Sequence, residues 1–99
     1  MCQYSAASGT GMPSDYHLAH LSAFAMRGPA LTFTEATSVL KNGMISPEDL
    51  GIWSDEHVPA FKRIVDIIHS HGSLAGIQLG EYHTSVLPTL KALLDALEL

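Results

Sequence analysis

Cysteine is nearly absent from this sequence, and so are clustered positive charge and long apolar runs. The single thiol, Cys2, excludes an internal disulfide and fits a reducing compartment. No apolar run reaches the roughly 18–20 residues that a membrane-spanning helix needs. Lys and Arg number only five and are scattered, in a chain with a formal net charge of −5. Because clustered basic side chains neutralise a phosphate backbone, this distribution argues against a nucleic-acid partner.

The length and composition allow one small domain. The chain has 99 residues, of which 46% are hydrophobic and 15% charged, which is too apolar for a disordered tail. Residues 1–10 carry neither a basic segment nor an apolar core, so they do not resemble a signal peptide. The sequence therefore predicts a soluble, acidic, cytoplasmic protein.

The titratable side chains leave the chemistry open. His17 and His20 are three positions apart and would share a helix face, but no carboxylate or cysteine completes a metal-ligand set. Surface or helix-capping histidines are the favoured interpretation. Glu35 falls at the end of a predicted strand, where it is either a catalytic group or a hydrogen-bonded structural glutamate. The glycine-rich phosphate motifs and the GxSxG nucleophile motif are absent.

Periodicity predicts alternating strands and helices. Ser14 and Ser54 are positioned to cap two helices, and Gly28 and Gly72 to end them. Ser46–Asp49 is typical of a short capped helical turn, within a long connection after the first complete strand. The predicted elements, in order, are a strand end at Met1–Tyr4, a helix from Asp15, a strand at Ala30–Ala36, a helix from Asp55, a strand at Ser73–Leu79 and a helix at Val86–Leu99. This order predicts an α/β fold with a parallel sheet.

One stretch carries a family resemblance. Residues Asp49 to His57 read DLGIWSDEH, and this segment resembles the Old Yellow Enzyme family of NAD(P)H:flavin oxidoreductases, closest to its NADPH dehydrogenase branch. Supporting matches stand in the same order along the chain: MCQYSA at 1–6, TEAT at 34–37 and GIQL at 76–79. The resemblance covers residues 1–79 and implies part of an eight-stranded (β/α) TIM barrel that binds FMN.

The resemblance also implies individual site residues. Met1, Cys2, Ala36 and Gln78 match positions that contact FMN, and Tyr4 matches a tyrosine that contacts the substrate. In the family, NAD(P)H reduces FMN, which then passes a hydride to a small-molecule activated alkene. Our strand predictions place Cys2, Ala36 and Gln78 at carboxyl ends of strands, where barrel sites form. The alternatives are an inert Cys2, a packing role for Ala36 and backbone bonding by Gln78.

Departures from the family pattern limit the functional prediction. The family's catalytic histidine pair, its arginines and its late phosphate-binding loops are absent, so no catalytic residue is assigned. Residues 1–79 correspond to roughly two and a half units of a barrel that needs about 250 residues, and residues 80–99 form a divergent loop and amphipathic helix. We expect an N-terminal piece with little or no activity alone. The alternative is a non-catalytic interaction module that binds a protein partner through uncovered barrel edges or the final helix.

Overall fold

The computed structural model describes residues 2–80 and 94–97. Within them the chain forms an α/β unit. The elements follow one another as α1 (Asp15–Ala25), β1 (Leu31–Ser38), a 3₁₀ turn (Lys41–Gly43), β2 (Leu50–Gly51), α2 (His57–Ser70) and β3 (Leu74–Gly80). The predicted alternation of strands and helices is thereby confirmed for this part of the chain.

The three strands form one parallel sheet in the order β2-β1-β3. The central strand β1 pairs with β3 along its length, from Leu31 opposite Leu74 to Ser38 opposite Gly80. The two-residue strand β2 pairs only with Thr37 and Ser38, and the sequence did not predict it because two residues carry no periodicity. The parallel arrangement places the carboxyl ends of all three strands at one edge of the sheet.

Both helices lie near their predicted positions. Helix α1 begins after Ser14, as predicted, and Gly28, with φ of +85°, takes the chain out of it. Helix α2 begins at His57 rather than at Asp55, because the Ser54 hydroxyl bonds the His57 ring instead of a free backbone N–H. Gly72, with φ of +80°, follows the end of α2 as predicted.

Of two local predictions, one was wrong and the other is confirmed as a single turn. Residues 2–4 form no strand, since Tyr4 has a φ of +54° that is incompatible with extended backbone; Met1 lies outside the described residues. Ser46–Asp49 forms the predicted capped turn without continuing into a helix: Asp49 N–H donates to the Ser46 carbonyl, and Glu48 N–H donates to Ser46 Oγ.

The helices pack on one face of the sheet and build two apolar clusters. The first cluster comprises Ala6, Val39, Leu50, Ile52, Phe61 and Leu97. The second comprises Leu21, Ala25, Ile64 and Ile68. Residues 94–97 are helical, whereas the rest of the predicted helix Val86–Leu99 lies outside the described residues. Among the helices that the structure describes, none has the length and apolarity needed to cross a membrane.

Candidate cofactor-binding site

A β-bulge at Glu35 decides which side chains reach the open face of the sheet. Thr34 pairs with Ile77 and Ala36 pairs with Gln78, so Glu35 is an extra residue without an opposite partner on β3. Side chains alternate between faces along a strand, and one inserted residue reverses that alternation. The bulge therefore turns Ala36 to the face that Gln78 shares, at the carboxyl end of the sheet.

That face is the one that α1 and α2 leave uncovered in the described part of the chain. Ala75, Ile77 and Leu79 of β3 pack against the helix-side clusters, so the alternate residues of β3, Gln78 among them, project from the opposite face. Gln78 is exposed and Ala36 half-buried. The structure thus brings together two of the predicted cofactor-binding residues as neighbours on adjacent strands.

The bulged Glu35 directs its carboxylate to the start of the chain and to α1. Its Oε2 accepts a hydrogen bond of 2.6 Å from the backbone N–H of Gln3. Its Oε1 lies 2.9 Å from Nε2 of His17, and both side chains are buried. This contact has no aligned hydrogen-bond geometry, so it is a close polar contact. Of the two interpretations of Glu35, the structure supports the hydrogen-bonded structural glutamate.

The Glu35–His17 pair opens onto the same pocket as Gln78. The pocket has a volume of about 650 Å³ and lies between α1 and β1, with Gln3, His17, Glu35, Arg27 and Gln78 among its lining residues. This volume lies in the range of small-molecule sites. Sequence reasoning missed His17 as a member of the site, although the Ser-x-x-His spacing at a helix start is a readable signal.

Cys2 and Tyr4 lie on either side of Gln3, whose backbone N–H is bonded to Glu35 and anchors this segment. Tyr4 is 55% exposed, and Cys2 is half-buried. Burial, followed by the negative charges of Asp49 and Glu35, raises the pKa of the Cys2 thiol above its ordinary value. The thiol is therefore held in its neutral form, in which it donates to the Asp49 carboxylate and is a poor nucleophile.

The DLGIWSDEH segment holds the loop that follows Tyr4. Nε2 of His57 donates a 2.8 Å hydrogen bond to the carbonyl of Thr10, and its Nδ1 lies 3.0 Å from Ser54 Oγ. The Trp53 ring packs edge-to-face on His57, with ring centroids 4.7 Å apart. The motif that carries the family resemblance therefore holds the loop before α1 in place. It does not itself include Ala36 or Gln78.

The residues on the open face fit a flavin. A side-chain amide such as Gln78 offers both a donor and an acceptor, which matches the alternating carbonyl and N–H groups of a flavin's pyrimidine edge. The small side chain of Ala36 leaves space beside it. Among the described residues, no group of three or more His, Cys, Asp and Glu side chains could hold a metal ion.

The fold and this face define the chain as a sector of a (β/α) barrel whose site lies toward the carboxyl ends of the strands. Residues 1–87 match the model of the NADH:flavin oxidoreductase / NADH oxidase family, and the chain belongs to that family. The family is flavin-dependent, and FMN with NAD(P)H as hydride donor is the cofactor set it implies. The predicted resemblance is thus confirmed.

Individual relatives agree with this assignment. The NADPH dehydrogenase of Listeria welshimeri is 48% identical over 89 residues, covering 89% of this chain and 26% of that protein. An NADH:flavin oxidoreductase of Gibberella zeae is 44% identical over 79 residues, covering 80% of this chain and 19% of that protein. The chain therefore spans about a quarter or less of the length of these relatives.

Solved structures confirm the barrel fold. The crystal structure of TcOYE with pHBA matches with a TM-score of 0.68 at 28% identity, over 80% of this chain and 21% of that one. The Old Yellow Enzyme homologue of Zymomonas mobilis matches with a TM-score of 0.62 at 28% identity, over 78% of this chain and 22% of that one. The predicted partial TIM barrel is the fold of this chain.

Proposed function

We propose that this chain supplies part of the FMN site of an NAD(P)H-dependent flavin oxidoreductase of the ene-reductase type. The observation that carries the proposal is the pairing of Ala36 with Gln78 across β1 and β3, on the uncovered face of the sheet. Two residues 42 positions apart that match cofactor-binding positions of the family become neighbours there. Family membership supplies the identity of the cofactor.

Each predicted residue has a distinct part in this proposal. The Gln78 amide pairs with the polar edge of the flavin, and Ala36 lies against its ring. The Cys2 thiol lies near the flavin and tunes its potential, and Tyr4 contacts the substrate. Bound FMN would take a hydride from NAD(P)H and pass it to an activated alkene. Met1, which also matches a flavin-contacting position, lies outside the described residues.

The proposal includes the predicted division of the chain and its location. Residues 1–79 form the barrel sector, and residues 80–99 form a divergent loop and amphipathic helix. A cytoplasmic location is consistent with the single cysteine. Both remain predictions.

A flavin titration tests the proposal. Adding the purified chain to FMN and following the flavin fluorescence should give a saturable signal with one FMN per chain. Gln78→Ala should weaken binding about tenfold, the effect of losing one well-made polar contact. Asn42→Ala removes a similar amide from the exposed 3₁₀ turn and should change nothing. A wild-type chain that shows no saturable binding, or equal binding by both variants, would overturn the proposal.

We expect the chain alone to show little or no alkene reduction. The family's histidine pair polarises the alkene's carbonyl and its phosphate loops anchor FMN, and both are preorganised electrostatic contributions that this sequence lacks. NADPH oxidation with FMN and an activated enone should therefore stay at the rate of free flavin. Turnover well above that rate would contradict this expectation.

The alternative, an interaction module, has one supporting observation. Leu31, Phe33 and Leu74 on the sheet are 47%, 55% and 67% exposed, and neighbouring exposed apolar side chains are a feature of contact surfaces. The family assignment favours the oxidoreductase, and the association that the alternative requires is tested separately below.

A further inference from the structure

We propose that Glu35 is a positioning residue that, together with His17, fixes the Cys2–Tyr4 segment beside the Ala36–Gln78 face. The inference rests on the proposed flavin site for its functional meaning. It follows from the contacts of one buried carboxylate with two separate parts of the chain.

The start of α1 determines the tautomer of His17. The backbone N–H of Ser14 donates a 3.0 Å hydrogen bond to Nδ1 of His17. An acceptor nitrogen carries no proton, so in the neutral ring the proton is on Nε2. That N–H lies 2.9 Å from Glu35 Oε1. The start of α1 therefore selects the tautomer of His17 that presents a donor to Glu35.

The contacts at position 35 require a carboxylate. Both carboxylate oxygens face a nitrogen: Oε2 accepts a 2.6 Å hydrogen bond from the N–H of Gln3, and Oε1 lies 2.9 Å from Nε2 of His17. An ionised carboxylate has two accepting oxygens, whereas a glutamine amide has only one. The buried Glu35 can therefore turn an acceptor oxygen toward both nitrogens, whereas Gln in its place would turn its NH₂ group toward one of them.

The Cys2–Tyr4 segment has a backbone conformation that requires contacts from outside the segment. Tyr4, next to the Gln3 anchor, has a φ of +54°, a conformation that residues other than glycine rarely adopt. Two more contacts fasten the segment to α1: Tyr16 donates to Oε1 of Gln3 at 3.1 Å, and Ser14 Oγ donates to the carbonyl of Ser5 at 2.8 Å. Glu35 adds the link between this segment and β1.

The β-bulge connects the contacts of Glu35 to the Ala36–Gln78 face. The extra residue that turns Ala36 toward Gln78 is Glu35 itself, so one irregularity places the proposed flavin-facing pair and the anchor of the Cys2–Tyr4 segment. Bulges next to binding sites commonly redirect a side chain in this manner. The positions of Cys2, Tyr4 and Ala36 relative to one another therefore all depend on Glu35.

The wild-type chain offers a test that needs no variant. For the neutral ring of His17, nitrogen-15 NMR should show Nδ1 unprotonated and Nε2 protonated. The backbone amide of Gln3 should exchange with solvent at least about tenfold more slowly than that of exposed Ser8, because the Gln3 N–H is bonded to a carboxylate and the structure shows no partner for the Ser8 N–H among the described residues. A proton on Nδ1, or a Gln3 amide that exchanges as fast as an unbonded one, would refute the inference.

Two conservative variants separate positioning from helix capping. His17→Gln places an amide N–H near the position of Nε2, whereas His17→Asn reaches only the position of Nδ1. We expect His17→Gln to retain the protection of the Gln3 amide and His17→Asn to lose about tenfold of it, with both helical by circular dichroism. Equal protection in the two variants would show that His17 only caps the helix. His57→Gln, at the corresponding position of α2, is the matched control and should leave the Gln3 amide unchanged.

A thiol readout keeps the inference separate from flavin binding. In Glu35→Gln the negative charge near Cys2 is lost, so the pH profile of Cys2 alkylation should move to lower pH while the chain stays folded. An unchanged profile in a folded Glu35→Gln would count against the inference. Amide and thiol results as expected, in a chain that binds no FMN, would instead refute only the proposed function.

Discussion

Trp53 lies across the backbone of Gly51, so closely that a Cβ atom added to Gly51 would overlap the indole ring at Cζ3. The far edge of the same ring covers Gly11, where an added Cβ would lie 2.6 Å from Cη2. Gly51 N–H also donates a 2.9 Å hydrogen bond to the carbonyl of Gly11. The two glycines allow two backbone segments and one indole ring to pack as a unit.

We therefore predict that Gly51→Ala destabilises the chain by about 1–3 kcal/mol, the usual cost of forcing an extra methyl group into a packed site. Urea unfolding followed by circular dichroism measures this. Gly80→Ala is the control, because an added Cβ there meets nothing within 4 Å and its free energy of unfolding should change little. Equal stability of the two variants would contradict the packing argument.

His57 also holds the loop that contains Thr10 and Gly11. It is 2% exposed, and its ring joins Ser54 to the carbonyl of Thr10, 47 residues away. His57→Ala should lower the free energy of unfolding by about 1–3 kcal/mol, because it removes a buried hydrogen bond and leaves a cavity. Limited proteolysis should also cut residues 7–12 faster.

The matched control for His57 is His71→Ala. His71 is exposed beyond the end of α2, and substitution of an exposed side chain typically changes stability by less than about 0.5 kcal/mol. Proteolysis of residues 7–12 that is equally fast in both variants would show that His57 does not hold the loop.

The elements that the sequence predicts well are those with long periodic patterns. The apolar spacing from Phe61 to Ile68 indicates α2, and the alternating segment before Ala36 indicates β1. The failures are local. Tyr4 has a left-handed conformation next to Gln3, whose N–H is bonded to a carboxylate 32 residues away, and β2 exists only because Thr37 and Ser38 offer it an edge. Contacts between distant residues produce both, and no window of neighbouring residues encodes them.

The candidate site was partly predictable for the same reason. Ala36 and Gln78 follow from the family resemblance, and their pairing follows from parallel strands. The β-bulge that turns both side chains to the same face is not predictable from the sequence. It depends on the contacts of Glu35 with Gln3 and His17, which are distant in sequence. Ser14 and Ser54 were recognised as helix-start residues, but their roles as partners of His17 and His57 required the packed structure.

The raised pKa of Cys2 predicts slow alkylation. Burial is the largest cause, and the charges of Asp49 and Glu35 add to it. Because the thiolate is the reactive form, iodoacetamide should label Cys2 more slowly in the folded chain than in urea, with a pH midpoint displaced upward. Labelling at the same rate and midpoint in both states would contradict the assignment.

The same displacement has a consequence for stability. A thiol whose pKa is higher in the folded than in the unfolded state favours folding while it is neutral. Its contribution is complete below the unfolded pKa and is lost as the pH rises through the folded pKa. Cys2→Ser should therefore flatten the decline of stability with pH in the alkaline range. A decline that Cys2→Ser leaves unchanged would assign it to other groups.

The uncovered face of the sheet predicts self-association. Leu31 and Leu74 are register partners on β1 and β3, and both are exposed at the amino-terminal end of the sheet, where the proposed flavin contacts do not lie. Burial of such surface is worth roughly 25 cal/mol per Å², so we expect sedimentation to show mass increasing with protein concentration.

Leu74→Gln should shift that association to higher concentration, because Leu74 is 67% exposed and its replacement removes apolar surface without opening a core cavity. Ile45→Gln is the matched control, since Ile45 is 59% exposed in the loop before β2 rather than on the sheet. If both variants weakened association equally, the contact would be nonspecific. If neither did, the open face would not be the contact surface, and the interaction-module alternative would lose the observation that supports it.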